Sequence, residues 1–143
     1  MLSLRIALLA VGAAVAPVTP ALAQAVEPRH IVALDFVKAK PGELSRLIRF
    51  FELNWSVARA TVLAQRAGVV SYRMLVGADT ASTWDVMLET VYTDSATYAR
   101  RETIFQPVLA AKGKVLIDGK DRPAMGDIVA SRVLGVRVTA PAK

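Results

Sequence analysis

Apolar and polar residues follow two different periods along the chain, and their order predicts strands and helices in turn. Residues 30–37 are rich in β-branched and aromatic side chains, which favour a strand. A Lys-Pro-Gly sequence at 40–42 ends this strand, because proline cannot continue the ladder and glycine permits a turn. Apolar residues then recur every three or four positions from 43 to 67, which predicts a helix closed by Gly68.

The first predicted helix has a wide apolar stripe. Phe50, Leu53 and Val57 form a second apolar row, so we expect this helix to contact more than one layer of sheet. Asn54 interrupts the stripe and marks an expected bend. Arg59 falls on the opposite side with other charged residues, which predicts that it faces solvent.

The middle of the chain has the pattern of a β-hairpin. Residues 69–76 and 84–92 are predicted to form the second and third strands, with the short polar segment 77–83 as their loop. By alternation, Tyr72 and Trp84 fall on the more apolar side of these strands, which we expect to lie beneath the helices.

The remaining pattern predicts one more helix and one more strand. Asp94 is placed to cap the second helix, and Pro107 is expected to divide that helix or to begin a further turn. Residues 112–127 are rich in glycine and charge and read as a loop, and 128–138 as the last strand. The order β-α-β-β-α-β predicts an α+β fold with a four-stranded antiparallel sheet and both helices on one face.

The amino terminus has the composition of a secretory signal. Within residues 1–23, Arg5 gives a positive start, 6–16 form an apolar core, and 21–23 provide a small-x-small cleavage site. We expect cleavage before Gln24. The alternative is a transmembrane anchor, but two prolines break the apolar run after roughly a dozen residues, whereas a span needs about 20.

These features predict an exported protein with one domain. Residues 24–29 form a linker, 30–138 the domain, and 139–143 a flexible tail. The expected location is the periplasm or the exterior, with no membrane span after the signal is removed.

Composition excludes several classes of function. The chain of 143 residues has no cysteine, which excludes disulfides, thiolate metal sites, iron–sulfur clusters and cysteine nucleophiles. Without Arg5, the mature chain carries 17 basic and 12 acidic side chains, a net charge of +5. No basic cluster is interleaved with aromatic residues, so nucleic acid is not an expected partner.

Three segments resemble the dimeric α/β-barrel superfamily, whose subunits are ferredoxin-like. They are the turn FVKAKPG at 36–42, the junction QRAGVVSYR at 65–73, and VYTDS at 91–95. The resemblance covers about residues 30–110 and is structural. It implies a homodimer in which two sheets pack through their open faces. The superfamily includes cofactor-free monooxygenases, haem-degrading enzymes, ring-cleaving isomerases and exported proteins of unknown role.

Strand alternation places several charged residues on the face expected to be open. We predict that Asp35, Arg73, Asp85 and Glu89 share this face, with Val32, Leu34 and Phe36 of the first strand on the helix side. Such a face fits a small-ligand pocket closed by the second subunit. The alternative is that Asp35, Arg73 and Glu89 only form cross-strand ion pairs in the dimer interface.

Other candidate residues are weaker. His30 is the single histidine and lacks further ligands at metal-binding spacing, so we expect no metal and no cofactor. Trp55 either borders a pocket or is core, and its place in an apolar helical stripe favours core. Tyr92 and Tyr98 offer hydroxyl groups without an identifiable partner.

Three hypotheses for function follow. The first is a homodimeric module that binds a small organic molecule, with Asp35, Arg73, Glu89, Asp85 and Trp55 as candidate ligand-binding residues. The second is a cofactor-independent monooxygenase or isomerase with Asp35 or Glu89 as the base and Arg73 stabilising an oxyanion. The third is a structural dimer without a ligand. The first leads because no complete catalytic set is visible.

Overall fold

The computed structural model describes residues 30–79 and 81–136. Within these residues the order β-α-β-β-α-β is confirmed, with helices broken into shorter segments and one additional short helix. The predicted signal segment with its cleavage site, the linker and the C-terminal tail lie outside the described residues.

The sheet has four antiparallel strands in the order β2-β3-β1-β4. The strands are β1 (His30–Ala39), β2 (Val69–Val76), β3 (Val86–Tyr92) and β4 (Gly126–Val136). Because β1 pairs with both β3 and β4, it lies inside the sheet, and β2 and β4 are the edges.

The first helical region runs on from α1 (Leu44–Phe51) through a π-helical turn (Glu52–Ser56) into α2 (Val57–Ala64). The expected bend at Asn54 is this turn. The Asn54 side-chain amide donates to the carbonyl of Phe50 at 2.9 Å, which satisfies a polar group inside a buried stripe.

The second helical region consists of α3 (Ser95–Ala99) and α4 (Arg101–Lys112). The predicted cap is confirmed, because the Asp94 carboxylate accepts a hydrogen bond from a backbone N–H of the first turn at 2.7 Å. The prediction for Pro107 is wrong: this residue lies inside α4 on its exposed side, and the break falls at Arg100.

The predicted loop at 112–127 also contains structure. A short helix, α5 (Arg122–Met125), lies in it, and β4 begins at Gly126, two residues earlier than expected. Met125 is fully buried and packs in the same cluster as Leu47, so this turn is held by the core.

The core lies between the helices and one face of the sheet. It has two clusters, one beneath α1 and one beneath α2 and α4. The first includes Val37, Leu47, Phe51, Val86 and Met125; the second includes Ile31, Ala58, Val62, Tyr92 and Phe105. The predicted burial of β3 is confirmed, since Val86, Leu88, Thr90 and Tyr92 all face the helices.

The predicted orientation of β1 is wrong. Residues paired across a ladder lie on the same face, and Asp35 pairs with Leu88, while Val37 pairs with Val86. Asp35 therefore points toward the helices, away from Glu89 and Arg73. Both sides of this strand are apolar, so alternation alone gave no means of choosing between them.

The open face is apolar along β1. It carries Val32, Leu34 and Phe36, the residues that we predicted to be core. Leu75 and Leu134 continue this surface on the two edge strands and are 41% and 50% exposed. We call this surface the open face.

A bulge between Val69 and Ser71 changes the phase of β2. Val69, predicted on the open face, is buried, and Val70 is exposed instead. Tyr72 lies on the helix side as predicted, where its ring meets that of Trp55 edge-on, with 5.7 Å between centroids.

Trp84 departs from its predicted place in the core. The third strand begins only at Val86, so the alternation of β3 does not extend to this residue. Its ring contacts Phe36 of the open face, with 5.6 Å between centroids.

Candidate functional site

A cavity of about 380 Å³ lies between the sheet and the helices α2, α3 and α4. We call it the sheet–helix cavity. Its sheet wall includes Asp35, Thr90 and Tyr92, and its helix wall includes Arg59 and Phe105. The cavity lies within this single chain, on the side of the sheet opposite to the open face. The predicted pocket between two sheets would lie on the open face, so this cavity occupies a different place in the fold.

Arg59 is part of the helix wall and is held there by two aromatic rings. Its guanidinium carbon lies over two aromatic rings, 4.6 Å from the centroid of Trp55 and 4.4 Å from that of Phe105. These contacts hold the side chain by cation–π attraction and cover its faces rather than its N–H edges. The prediction that Arg59 faces solvent is wrong.

The charge of Arg59 is largely uncompensated. Among residues 30–79 and 81–136, no carboxylate forms an ion pair with it. Burial lowers the pKa of Arg59 to about 10, so the group remains a cation at neutral pH. Its Nε donates to the Thr90 hydroxyl at 3.3 Å, and no protein acceptor in the described residues takes up the remaining N–H groups.

Asp35 provides the negative charge of the opposite wall. The Ser131 hydroxyl donates to its Oδ1 at 2.5 Å, which orients the carboxylate. The charge of Asp35 raises the pKa of Arg59, against the larger effect of burial, but the two side chains form no ion pair. They therefore attract each other across the cavity without direct contact. A cation and a carboxylate thus face each other over a gap that a small molecule can fill.

Two phenols complete the wall next to Arg59. The rings of Tyr92 and Tyr98 meet edge-on with 5.5 Å between centroids, and both line the cavity. Burial raises the pKa of the Tyr92 hydroxyl, which keeps it a neutral donor. Arg101 lies over the Tyr98 ring at 4.4 Å and is also 3.7 Å from the Glu102 carboxylate.

A second space adjoins the first and shares Arg59 and Leu109 with it. It has a volume of about 360 Å³ and is bounded by Phe50, Phe51 and Trp55. We call it the aromatic compartment.

The loop that closes the aromatic compartment is held by Asn54. Its side chain donates to the carbonyl of Val115 at 2.9 Å and accepts from the N–H of the same residue at 2.8 Å. The Lys112 ammonium also donates to the carbonyl of Leu53.

The remaining predicted site residues form ion pairs. Arg73 and Glu89 are cross-strand neighbours on the open face and make a bidentate pair, with nitrogen–oxygen distances of 2.7 and 2.9 Å. Asp85 accepts from the Lys38 ammonium at 2.9 Å and from the backbone N–H of Ala39 at 2.8 Å. These contacts lower the pKa of Asp85, chiefly through the Lys38 hydrogen bond. For Arg73 and Glu89 the structure agrees with the predicted cross-strand pairing, and for Asp35 it shows no ion pair within the described residues.

The structure separates the other candidates. Trp55 is both core and pocket: it is buried against Tyr72 and lines the aromatic compartment. His30 lies at the strand end on the side of Val32, and its Nδ1 is 3.1 Å from the carbonyl oxygen of Thr93. The described residues contain no group of three His, Asp or Glu side chains placed to hold a metal.

Sequence reasoning missed Arg59, although a signal was present. Arg59 lies four residues after Trp55, so the two side chains are neighbours on a helix. The second apolar row in that helix already indicated contact with an additional layer. That layer is α4, which contributes Phe105 on the other side of Arg59.

None of the helices in the described part of the chain has the length and apolar character needed to cross a bilayer.

Comparison with known proteins identifies the fold. No protein-family model and no curated protein matches this chain. Among solved structures, HapK from Hahella chejuensis superposes with a TM-score of 0.51 at 12% identity, covering 79% of this chain and 98% of that chain. A dimeric protein of unknown function and ferredoxin-like fold from Bacteroides fragilis has a TM-score of 0.50 at 8% identity, covering 77% and 99%.

A third structure, the cofactor-independent oxygenase SnoaB from Streptomyces nogalater, has a TM-score of 0.48 at 16% identity, covering 80% and 99%. The first two matches establish the ferredoxin-like fold, as the sequence predicted. At these identities the similarity concerns the fold alone.

Proposed function

We propose that this chain is an exported homodimeric protein that binds a small organic molecule in the sheet–helix cavity. The observation that carries this proposal is Arg59, a cation inside a cavity of about 380 Å³ with N–H groups that no described protein acceptor uses. Aromatic walls with a few oriented polar groups are typical of small-molecule sites.

The homodimer is proposed from the open face. Val32, Leu34 and Phe36 lie next to one another there, and Leu134 beside them is half exposed. A contiguous apolar surface of this kind favours burial against a partner. The Bacteroides fragilis protein with the same fold is dimeric, which supports a second copy as that partner.

Native mass spectrometry of the mature protein, purified from an exporting cell, tests both parts. We expect a dimer that retains a small molecule, and a chain that begins at Gln24. Leu134→Asp is expected to yield monomers because it places a charge in the interface. Leu116→Asp is the control, since Leu116 is equally exposed at 49% but lies in the loop before α5. A monomeric wild-type protein would refute the dimer.

A second candidate function is suggested by the opposition of Asp35 and Arg59. An oxygenase or isomerase can begin its reaction without a cofactor by removing a proton from a carbon next to a carbonyl, with a positioned side chain as the base. Asp35 would accept this proton, and the electron pair would move to the carbonyl oxygen, where Arg59 stabilises the resulting enolate. The sequence-based hypothesis gave the second role to Arg73, which is instead paired with Glu89 on the other face.

Deuterium exchange of 2-tetralone, followed by NMR, tests this chemistry. We expect the protein to accelerate exchange at the carbons next to the carbonyl, and Asp35→Asn to remove about 10²-fold or more of the acceleration. Glu89→Gln is the matched control because that carboxylate lies on the open face. If exchange is not accelerated while a ligand is retained, the protein is a binder. If no ligand is retained either, a structural dimer remains.

A further inference from the structure

We infer that the ligand is an organic monoanion with a flat apolar body, its oxyanion on Arg59 and its body in the aromatic compartment. This inference rests on the proposed function and adds the chemical class of the ligand. The sheet–helix cavity and the aromatic compartment share Arg59 and Leu109, so a single molecule can extend across both.

The anionic group follows from the state of Arg59. Its guanidinium faces are covered by Trp55 and Phe105, and its Nε donates to Thr90, so the Nη groups are left at the edge. Two parallel N–H groups match the two oxygens of a carboxylate, which gives a bidentate charge-assisted contact. A neutral ligand would leave the charge of Arg59 unpaired.

The other cations around the two spaces are already engaged. Lys112 donates to the carbonyl of Leu53, and Lys114 pairs with Asp121 at 2.6 Å. Arg101 donates to the carbonyl of Tyr98, and Arg132 to the carbonyl of Ser131. Arg101 and Arg132 make one hydrogen bond each, as Arg59 does, but Arg59 alone among these cations is enclosed between two aromatic rings without a carboxylate partner in the described residues.

The limit to one negative charge follows from Asp35 and Glu102, which line the same cavity and would repel a second anionic group. Asp35 accepts hydrogen bonds, so a hydroxyl on the ligand would be favoured there. The flat apolar body follows from the aromatic compartment, whose walls include the rings of Phe50, Phe51 and Trp55.

Isothermal titration calorimetry with 2-naphthoate and its neutral amide, 2-naphthamide, tests the charge. We expect 2-naphthoate to bind with a Kd at least about tenfold lower, since a charge-assisted hydrogen-bond pair discriminates by that factor or more. Arg59→Met should remove this difference. Arg49→Met is the matched control, because Arg49 lies on the exposed side of α1 and pairs with Glu52.

Leu109→Trp tests the two-compartment geometry. Leu109 is 44% exposed and lies where the spaces meet, so a larger ring there should block the passage without disturbing the core. We expect it to weaken 2-naphthoate at least about threefold more than the shorter benzoate. Leu63→Trp, at a similarly exposed position of α2 that lines neither space, should weaken neither acid.

The outcomes separate this inference from the proposed function. If 2-naphthamide binds as tightly as 2-naphthoate, or if Arg59→Met leaves the preference intact, the anion assignment is overturned and a small-molecule site remains. If Leu109→Trp affects both acids equally, the extension into the aromatic compartment is overturned. If no probe binds at millimolar concentration and native mass spectrometry shows no retained molecule, the proposed function fails as well.

Discussion

Replacing Arg59 by methionine tests whether this side chain serves the site or the fold. Methionine keeps a long, flexible side chain against Trp55 and Phe105 and removes only the charge and the N–H donors. If Arg59 stabilises the fold, this variant should unfold more easily than the wild type. If Arg59 serves ligand binding, the variant should not lose stability, because burial of the arginine charge itself destabilises the fold.

The expected magnitude follows from the environment of Arg59. Burial lowers the pKa of Arg59 from its higher ordinary value to about 10, and this lowering corresponds to about 3 kcal/mol of cost for the buried charge. Two cation–π contacts of about 0.5 to 2 kcal/mol each offset much of it. In the variant, contacts between the methionine sulfur and the aromatic rings, of about 0.3 to 1.5 kcal/mol, replace part of the lost cation–π energy. We therefore expect the free energy of unfolding of Arg59→Met to stay within about 1 kcal/mol of wild type, on the stabilised side.

Urea unfolding at pH 7, followed by circular dichroism, measures this change. Leu47→Ala serves as the comparison, because Leu47 is fully buried in the first core cluster and its truncation should cost about 2 to 5 kcal/mol. A loss of more than about 2 kcal/mol in Arg59→Met would refute the reasoning. It would show that the guanidinium stabilises the fold, and its available N–H groups would then no longer indicate a ligand.

Three further predictions concern the framework around the site. Gly68→Ala should lose about 1 to 3 kcal/mol more stability than Gly42→Ala in urea unfolding, because both have positive φ but only at Gly68 would a Cβ collide with a threonine side chain. Asn54→Ala should speed hydrogen exchange at the Val115 amide, which loses its acceptor, without speeding exchange in the strands. Asp85 has a lowered pKa in the folded state, so its stabilising effect is present above its unfolded pKa and is lost as the pH falls through the folded value. The stability difference between wild type and Asp85→Asn should therefore shrink between about pH 5 and pH 2, as followed by thermal melts.

The fold could be predicted because its signals are local. The helical period, the Asp94 cap and the turn at 40–42 each depend on a few neighbouring residues, and all three lie where expected. Boundaries that depend on tertiary packing were less accurate. Burial of Met125 creates a helix and an earlier start of β4 inside a segment that reads as a loop.

The site was predicted only in part, because its position depends on which side of β1 faces the helices. Leu34 and Phe36 are larger than the residues on either side of them and look like core, yet they lie on the open face together with Val32. Nothing local in the sequence distinguishes an apolar strand face that the helices cover from one that they leave open. Because β1 has the opposite orientation to the predicted one, Asp35 faces the cavity that contains Arg59 and not Arg73. Asp35 was therefore among the predicted candidate residues, but Arg59 was not.

The π-helical turn at Glu52–Ser56 has a consequence for how such a site can arise or vanish. A π turn contains one residue more than the α-turn it replaces, so deleting a single codon there would restore a regular helix. Everything downstream would rotate by about 100° relative to α1. This rotation would turn Ala58 and Val62 of α2 away from the core and would separate Arg59 from the rings that now cover it. The present sheet–helix cavity, with Arg59 in its wall, and a regular helix at this position are therefore alternatives that differ by one codon.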